Sequence, residues 1–324
     1  MLRERALYRG EPGLAAPELR ADFFDPVFEQ PARGSVDLAE SAAGNRAGTT
    51  RARNGGGQSV ATDDQILTRL REHLLFLRLS HTSKHLDELL AWATHERPGH
   101  SALLERVLGD EVESKRDARI TRRVTTSGLV ERKTLEAFDW AFQPSLDKSA
   151  IVELGRLDFV DRKEDLLITG KAGTGKSHIL KAFALRACQK GISMRYARCV
   201  DLLDDLHAAL ADGTYTKRLR AWARPALLII DDVGLGQLKK RDDEPTAAHT
   251  LYNLVDRRHG RASTAITSNI ELSDWGRYLG DATITAAILD RLVMNAIRFN
   301  IDGPSYRQRV AAERADKAAR KSKK

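Results

Sequence analysis

Apolar spacing divides the chain into regions. Residues 1–60 hold no sustained period of 3.6 or 2 and contain Gly55-Gly56-Gly57, which predicts a flexible extension. Its apolar patch, Phe23, Phe24, Val27 and Phe28, is a candidate docking segment; a start codon assigned too early would remove the stretch altogether. From residue 61 a helical period sets in. Thr62 with Gln65 fits a capping box, and Ile66, Leu70, Leu74 and Leu77 follow on one face. Leu86, Leu89, Leu90 and Ala93 mark a second helix, closed by Pro98-Gly99. Ser101 opens a third, with Leu104, Val107, Leu108 and Val112. These stripes are expected to face one another as a small bundle over 61–130.

A segment over 131–148 reads as a linker pinned by Phe138, Trp140 and Phe142 and stopped by Pro144. A short helix is predicted over 149–157, with Ile151, Val152, Leu154 and Leu157 apolar. Short apolar runs then alternate with helical patterns. The runs are Leu166–Thr169, Ile192–Ala197, Pro225–Ile230 and Thr264–Thr267. Between them lie Ile179, Leu180, Phe183, Ala184 and Ala187, then Leu202, Leu203, Leu206 and Leu210. Strands alternating with helices predict an α/β domain over 149–308, built on a parallel sheet.

The polar residues that punctuate these runs carry the chemistry. Gly170-Lys171-Ala172-Gly173-Thr174-Gly175-Lys176-Ser177 satisfies G-x-x-x-x-G-K-[ST] between a predicted strand and a predicted helix, with His178 next in line. The glycines let backbone amides converge on phosphates, and the helix adds its positive end. Lys176 can reach the β- and γ-phosphates of ATP, and the Ser177 hydroxyl can ligate Mg²⁺. The run Leu227–Ile230 ends in Asp231-Asp232. Asp231 is the candidate metal ligand, and Asp232 the candidate for orienting the attacking water. Aspartate is one methylene shorter than the glutamate often found there. Asn269 closes the strand at 264–267, where strand ends face the ligand crevice of such sheets.

Charge adds a second theme. Lys and Arg exceed Asp and Glu by 53 to 45, a net +8. Residues 305–324 alone hold eight basic and two acidic residues and predict a mobile, phosphate-binding arm over 309–324. Lys115, Arg119 and Arg122 share a helical face, with Arg116 and Arg123 beside it. That face is either a DNA-phosphate stripe or a solvated surface neutralised by Glu111, Glu113 and Asp117. The cysteines, Cys188 and Cys199, form neither a disulfide framework nor a metal set, and such low usage fits a reducing cytoplasm. No apolar run approaches the roughly 18 residues of a membrane span.

The order of motifs resembles the IstB-type ATPases, AAA+ proteins encoded beside the transposase of certain bacterial insertion sequences. The resemblance spans about residues 62–308. It rests on the phosphate loop, Asp231-Asp232-Val233-Gly234, Thr267-Ser268-Asn269, Trp275, Asp290-Arg291-Leu292, Ser305-Tyr306-Arg307 and the linker Leu135–Pro144. It implies an AAA+ P-loop NTPase domain of three layers around a parallel sheet, preceded by a small helical bundle. It implies that Asn269 is the sensor asparagine, Arg291 an arginine finger for a neighbouring subunit, and Arg307 a second sensor arginine in cis. It further implies an ATP-dependent homo-oligomer that remodels duplex DNA and recruits or stimulates a transposase. A DnaC-like helicase loader is the alternative, and a nucleotide-gated binding module with little hydrolysis is a third reading. Lys171 departs from the small or proline residue usual in this group. It either adds charge near the phosphates or projects to solvent.

Overall fold

The computed structural model describes residues 62–236, 238 and 246–322. The expected extension over 1–60 and its apolar patch lie outside the described residues. Four helices come first: α1 (Asp63–Phe76), α2 (Ser80–Lys84), α3 (Leu86–Glu96) and α4 (His100–Ser127). At the start of α1 the Gln65 side chain accepts from the Thr62 amide at 3.3 Å, half of the capping box. Helix α4 runs unbroken for 28 residues and stops at Gly128, whose φ of 83° ends it in the left-handed region.

The expected meeting of apolar stripes is corrected here. Ile66, Leu77, Leu104, Leu108 and Val112 are all exposed. The cause is α2, which packs against α1, α3 and α4. Its contact with α4 is polar. Glu111 is buried and accepts from the Thr82 amide at 2.9 Å and hydroxyl at 3.2 Å. Burial pushes the Glu111 carboxyl up, but the Thr82 donors and Lys115 outweigh it and leave the group below its usual range.

The α/β part opens with α5 (Lys148–Leu154) and α6 (Asp158–Asp161). It continues through β1 (Asp165–Gly170), α7 (Lys176–Lys190), β2 (Met194–Arg198), α8 (Cys199–Ala211), α9 (Tyr215–Ala223) and β3 (Leu227–Val233). Then come α10 (Ala247–Arg258), β4 (Ser263–Ser268), α11 (Trp275–Leu279), α12 (Ala282–Met294), β5 (Ala296–Ile301) and α13 (Tyr306–Ser322). All strand pairs are parallel, in the order β2-β3-β4-β1-β5.

Alternate strand residues face opposite sides, so two apolar layers cover the sheet. Leu166, Ile168, Leu227 and Ile229 join the layer containing α7 and the end of α4. Leu167, Leu228, Ile230 and Ile266 join the layer built by α8, α10 and α12. This is the expected three-layer α/β fold. Sequence reasoning missed β5, whose Ile297, Phe299 and Ile301 alternate, and the helices α9, α10 and α12. The arm expected over 309–324 is also corrected: residues 306–322 are helical. Its alanines, arginines and lysines favour helix, and Arg309 pairs with Glu313 one turn on at 3.0 Å. No described helix is long and apolar enough to cross a membrane.

Candidate nucleotide site and basic helix face

The phosphate loop leaves β1 at its C-terminal end and enters α7 at Lys176. Two glycines show why no other residue fits. A Cβ on Gly173 would lie 2.1 Å from the Ser305 hydroxyl, and one on Gly175 would lie 2.5 Å from the Phe138 ring. Both have positive φ, 85° and 102°. The loop is thus packed between the linker and the start of α13, while its amides curl toward the α7 N-terminus. Lys176 is buried, and its amine donates to the carbonyls of Gly170 and Lys171, each at 2.7 Å. Burial pushes this amine down to about 8, against the pull of Asp232 and Asp231. The Thr174 hydroxyl also donates to the Lys171 carbonyl, at 2.9 Å. Lys171 is exposed and does not line the cleft, so of its two expected roles the side chain takes the solvent one.

The carboxylates come from β3. Consecutive residues of a strand point to opposite faces, yet both aspartates reach Ser177. Its hydroxyl donates to Asp231 Oδ1 at 2.9 Å and lies 3.5 Å from Asp232 Oδ1. The break in alternation is visible: Asp232 has φ of 62°, and the β3–β4 register shifts between Ile230 and Val233. Asp232 then accepts from the Asn269 amide group at 3.0 Å, and its own N–H donates to Thr267 Oγ1 at 2.8 Å. Asp231 is buried and also accepts from the hydroxyls of Thr267 and Tyr196. Burial and the neighbouring Asp231 push the Tyr196 hydroxyl far up, so it remains a donor. The turn after β4 is pinned by Trp275, fully buried, whose indole N–H donates to Ser268 Oγ at 3.0 Å.

Of these groups Lys176, Ser177, Asp232 and Asn269 line a cleft of about 380 Å³ with Ala172, His178, Tyr306 and Arg307, while Asp231 lies behind Ser177 and is not part of the lining. The stretch read as a linker forms its other wall, through Phe138, Asp139, Phe142 and Gln143. His178 ties α7 to that wall: its Nε2 lies 2.8 Å from the Thr134 carbonyl, and its ring meets Phe138 edge-on. Arg309 ties α13 to it, pairing with Asp139 at 3.1 Å and stacking over Phe142. The Tyr306 N–H donates to the Gly173 carbonyl at 3.0 Å. Sequence reasoning missed Thr267 and Tyr196 as carboxylate partners and the linker as a cleft wall. The aromatic run at 138–142 was the available signal.

The residues present fit ATP. A loop with no room for a side chain at Gly173 or Gly175, a buried amine and a helix N-terminus suit a polyphosphate. The donor set near Ser177 is hydroxyl and carboxylate oxygen, suited to a hard cation such as Mg²⁺ held together with phosphate oxygens. Among the described residues no group of three or more His, Cys, Asp or Glu could hold a metal by itself.

Arg291 is not brought to this cleft. On α12 its Nε donates to Asp256 at 3.0 Å and its guanidinium to the Tyr252 hydroxyl at 2.8 Å. The five basic residues of α4 also separate. Lys115 turns back to Glu111 at 3.5 Å. Arg123 donates to the Cys188 carbonyl at 3.3 Å, against the end of α7. Arg116, Arg119 and Arg122 are exposed and pair with no acid among the described residues.

A phosphate cradle facing two carboxylates and an asparagine, across the strand ends of a β2-β3-β4-β1-β5 sheet, defines a P-loop ATP-binding protein of the AAA+ kind. The comparisons narrow the class. The chain belongs to the family of IstB-like ATP-binding proteins, whose profile matches residues 73–314. It is 34% identical over 241 residues to the ATP-binding protein of insertion sequence IS5376 from Geobacillus stearothermophilus, covering 74% of this chain and 94% of that one. It is 31% identical over 231 residues to the insertion sequence IS21 ATP-binding protein of Pseudomonas aeruginosa, covering 71% and 85%. Among solved structures, AMPPCP-bound DnaA from Aquifex aeolicus is similar at 19% identity over 58% of this chain and 56% of that one, with a TM-score of 0.45.

Proposed function

We propose that this ATP-binding protein hydrolyses ATP with Mg²⁺, assembles on duplex DNA and prepares that DNA for the transposase of its insertion sequence. The observation that carries the reading is the convergence of Ser177, Asp231, Asp232 and Asn269 through contacts of 2.9–3.5 Å beside the phosphate loop. Lys176 and the amides at the start of α7 hold the β- and γ-phosphates. Ser177 and Asp231 hold the cation, which when bound draws charge from the phosphate oxygens. Asp232 orients the attacking water and accepts its proton, while Asn269 fixes the Asp232 carboxylate. Arg307 meets the phosphates within the same chain.

Arg291 leaves Asp256 and Tyr252 to complete the site of a neighbouring subunit. ATP therefore joins subunits, and turnover loosens them. Arg116, Arg119 and Arg122 hold DNA phosphates without reading bases. An assembly that holds duplex DNA along its length bends it, and bent DNA is the target offered to the transposase. Turnover measured with and without duplex DNA tests this reading. DNA-stimulated hydrolysis abolished in Asp232→Ala is expected. Tight ATP binding without turnover would favour a nucleotide-gated binding module, and capture of a replicative helicase in place of transposase would favour a helicase loader.

A further inference from the structure

We propose that Tyr196 is a positioning residue that orients Asp231 for the metal and links it to helix α4. Asp231 has two carboxylate oxygens in unlike surroundings. Oδ1 accepts from Ser177 and Thr267, both beside the phosphate loop. Oδ2 accepts from the Tyr196 hydroxyl. The rotation of the carboxylate about its bond to Cβ is therefore set between the two sides, and Tyr196 supplies the far one. No motif in the sequence includes this tyrosine.

Tyr196 lies on β2, paired with Ile229 of β3. Its other contacts lead to α4. The helix ends at Gly128, where a Cβ would lie 2.6 Å from the Tyr196 carbonyl oxygen. Ile120, Val124 and Leu129 pack into the apolar layer that also takes the Tyr196 ring. Arg123 adds a bond to the end of α7, the helix that carries Ser177. The last turns of α4 cannot shift without disturbing β2 at Tyr196. Since Arg116, Arg119 and Arg122 sit on these turns, DNA held there would alter how firmly Asp231 holds the cation. This last step rests on the proposed DNA contact, whereas the orientation of Asp231 does not.

The test uses the full chain with Tyr196→Phe, which keeps the ring and removes the hydroxyl. Affinity for a fluorescent ATP analogue is measured in EDTA and across a Mg²⁺ titration, with duplex DNA affinity measured in parallel. Affinity in EDTA and DNA affinity are expected to stay as in wild type, and the thermal midpoint to fall by a few degrees as buried Asp231 loses a donor. The Mg²⁺ concentration at half effect is expected to rise about tenfold, the scale of one hydrogen bond to a charged group. An unchanged Mg²⁺ midpoint overturns the assignment. Gly128→Ala, with Tyr196 intact, is expected to raise the same midpoint several-fold by pressing on the Tyr196 carbonyl. No shift there removes the link to α4. Failure of the wild-type chain to bind duplex DNA counts against the proposed function, while the Mg²⁺ midpoint still decides the role of Tyr196.

Discussion

Asp232 sits in a backbone conformation that only a few residue types adopt readily, and the site needs it there. A regular strand would send its side chain to the opposite face from Asp231. The left-handed turn brings both carboxylates to Ser177 and places Asn269 on the second one. Asp232→Asn keeps the hydrogen-bonding shape and removes the base. Turnover is expected to fall about 10²–10⁴-fold, with affinity for a non-hydrolysable ATP analogue retained, as fluorescence titration would show. A second residue-scale prediction concerns Asp165, at the start of β1. Burial raises its carboxyl to about 6, although the Thr264 amide donates to it at 2.6 Å. A raised folded value means that the folded chain holds this proton more tightly than the unfolded chain. Its contribution is present below about pH 4 and lost as pH rises through about 6, a span of about 3 kcal/mol. Asp165→Asn should therefore gain stability relative to wild type as pH rises from 4.5 to 7, read by urea unfolding at both. At this scale the phosphate loop and the aspartate pair are legible in the sequence as contiguous motifs. Thr267, Tyr196 and the polarity of Glu111 are not, because each partner arrives from a distant element.

At the scale of elements, α4 does two jobs along its length. It is anchored by Glu111 to α2 and, near its end, by Val124 and Arg123 to the α/β domain. Between and beside these anchors Arg116, Arg119 and Arg122 are exposed. Replacing these three with alanine should leave thermal stability unchanged. It should flatten the dependence of duplex DNA affinity on salt, by a slope of about 1 for each lost phosphate contact. Arg123→Ala should lower stability and leave that slope alone. Glu111→Ala strands the Thr82 donors in a buried site and is expected to cost about 1–3 kcal/mol, seen as faster amide exchange over α2. The periodicity of α4 is plain in the sequence, but which face is buried is not. Leu104, Leu108 and Val112 read as core and lie exposed, because the short helix α2 brings a threonine to the contact. The strands ran the other way. Buried on both faces, β1, β3 and β4 are short apolar runs that identify themselves, whereas β5 alternates with Arg298 and Asn300 and escapes notice.

At the scale of the whole molecule, the stretch that reads as a linker and the start of α13 both close the nucleotide cleft. Phe138 packs on Gly175, Ser305 on Gly173, and Arg309 bridges α13 to Asp139. The basic C-terminal segment therefore begins as a helix rooted at the phosphate loop, through the Tyr306 N–H on the Gly173 carbonyl. Ending the chain after Val310 keeps Arg307 and Arg309 and removes six basic residues. It is expected to weaken salt-dependent DNA binding while nucleotide affinity stays within about twofold, since the phosphate contacts lie before the cut. Arg291 is held away from its own cleft by Asp256 and Tyr252, and in the proposed assembly it would serve the neighbouring site. The most direct measurement is the mass of the assemblies formed on duplex DNA, with and without ATP, by the wild-type chain and by Lys176→Ala. The wild-type chain is expected to form multi-subunit assemblies only with ATP, and Lys176→Ala to form none. Equal assembly by both proteins, or assembly without nucleotide, would contradict ATP as the joint between subunits.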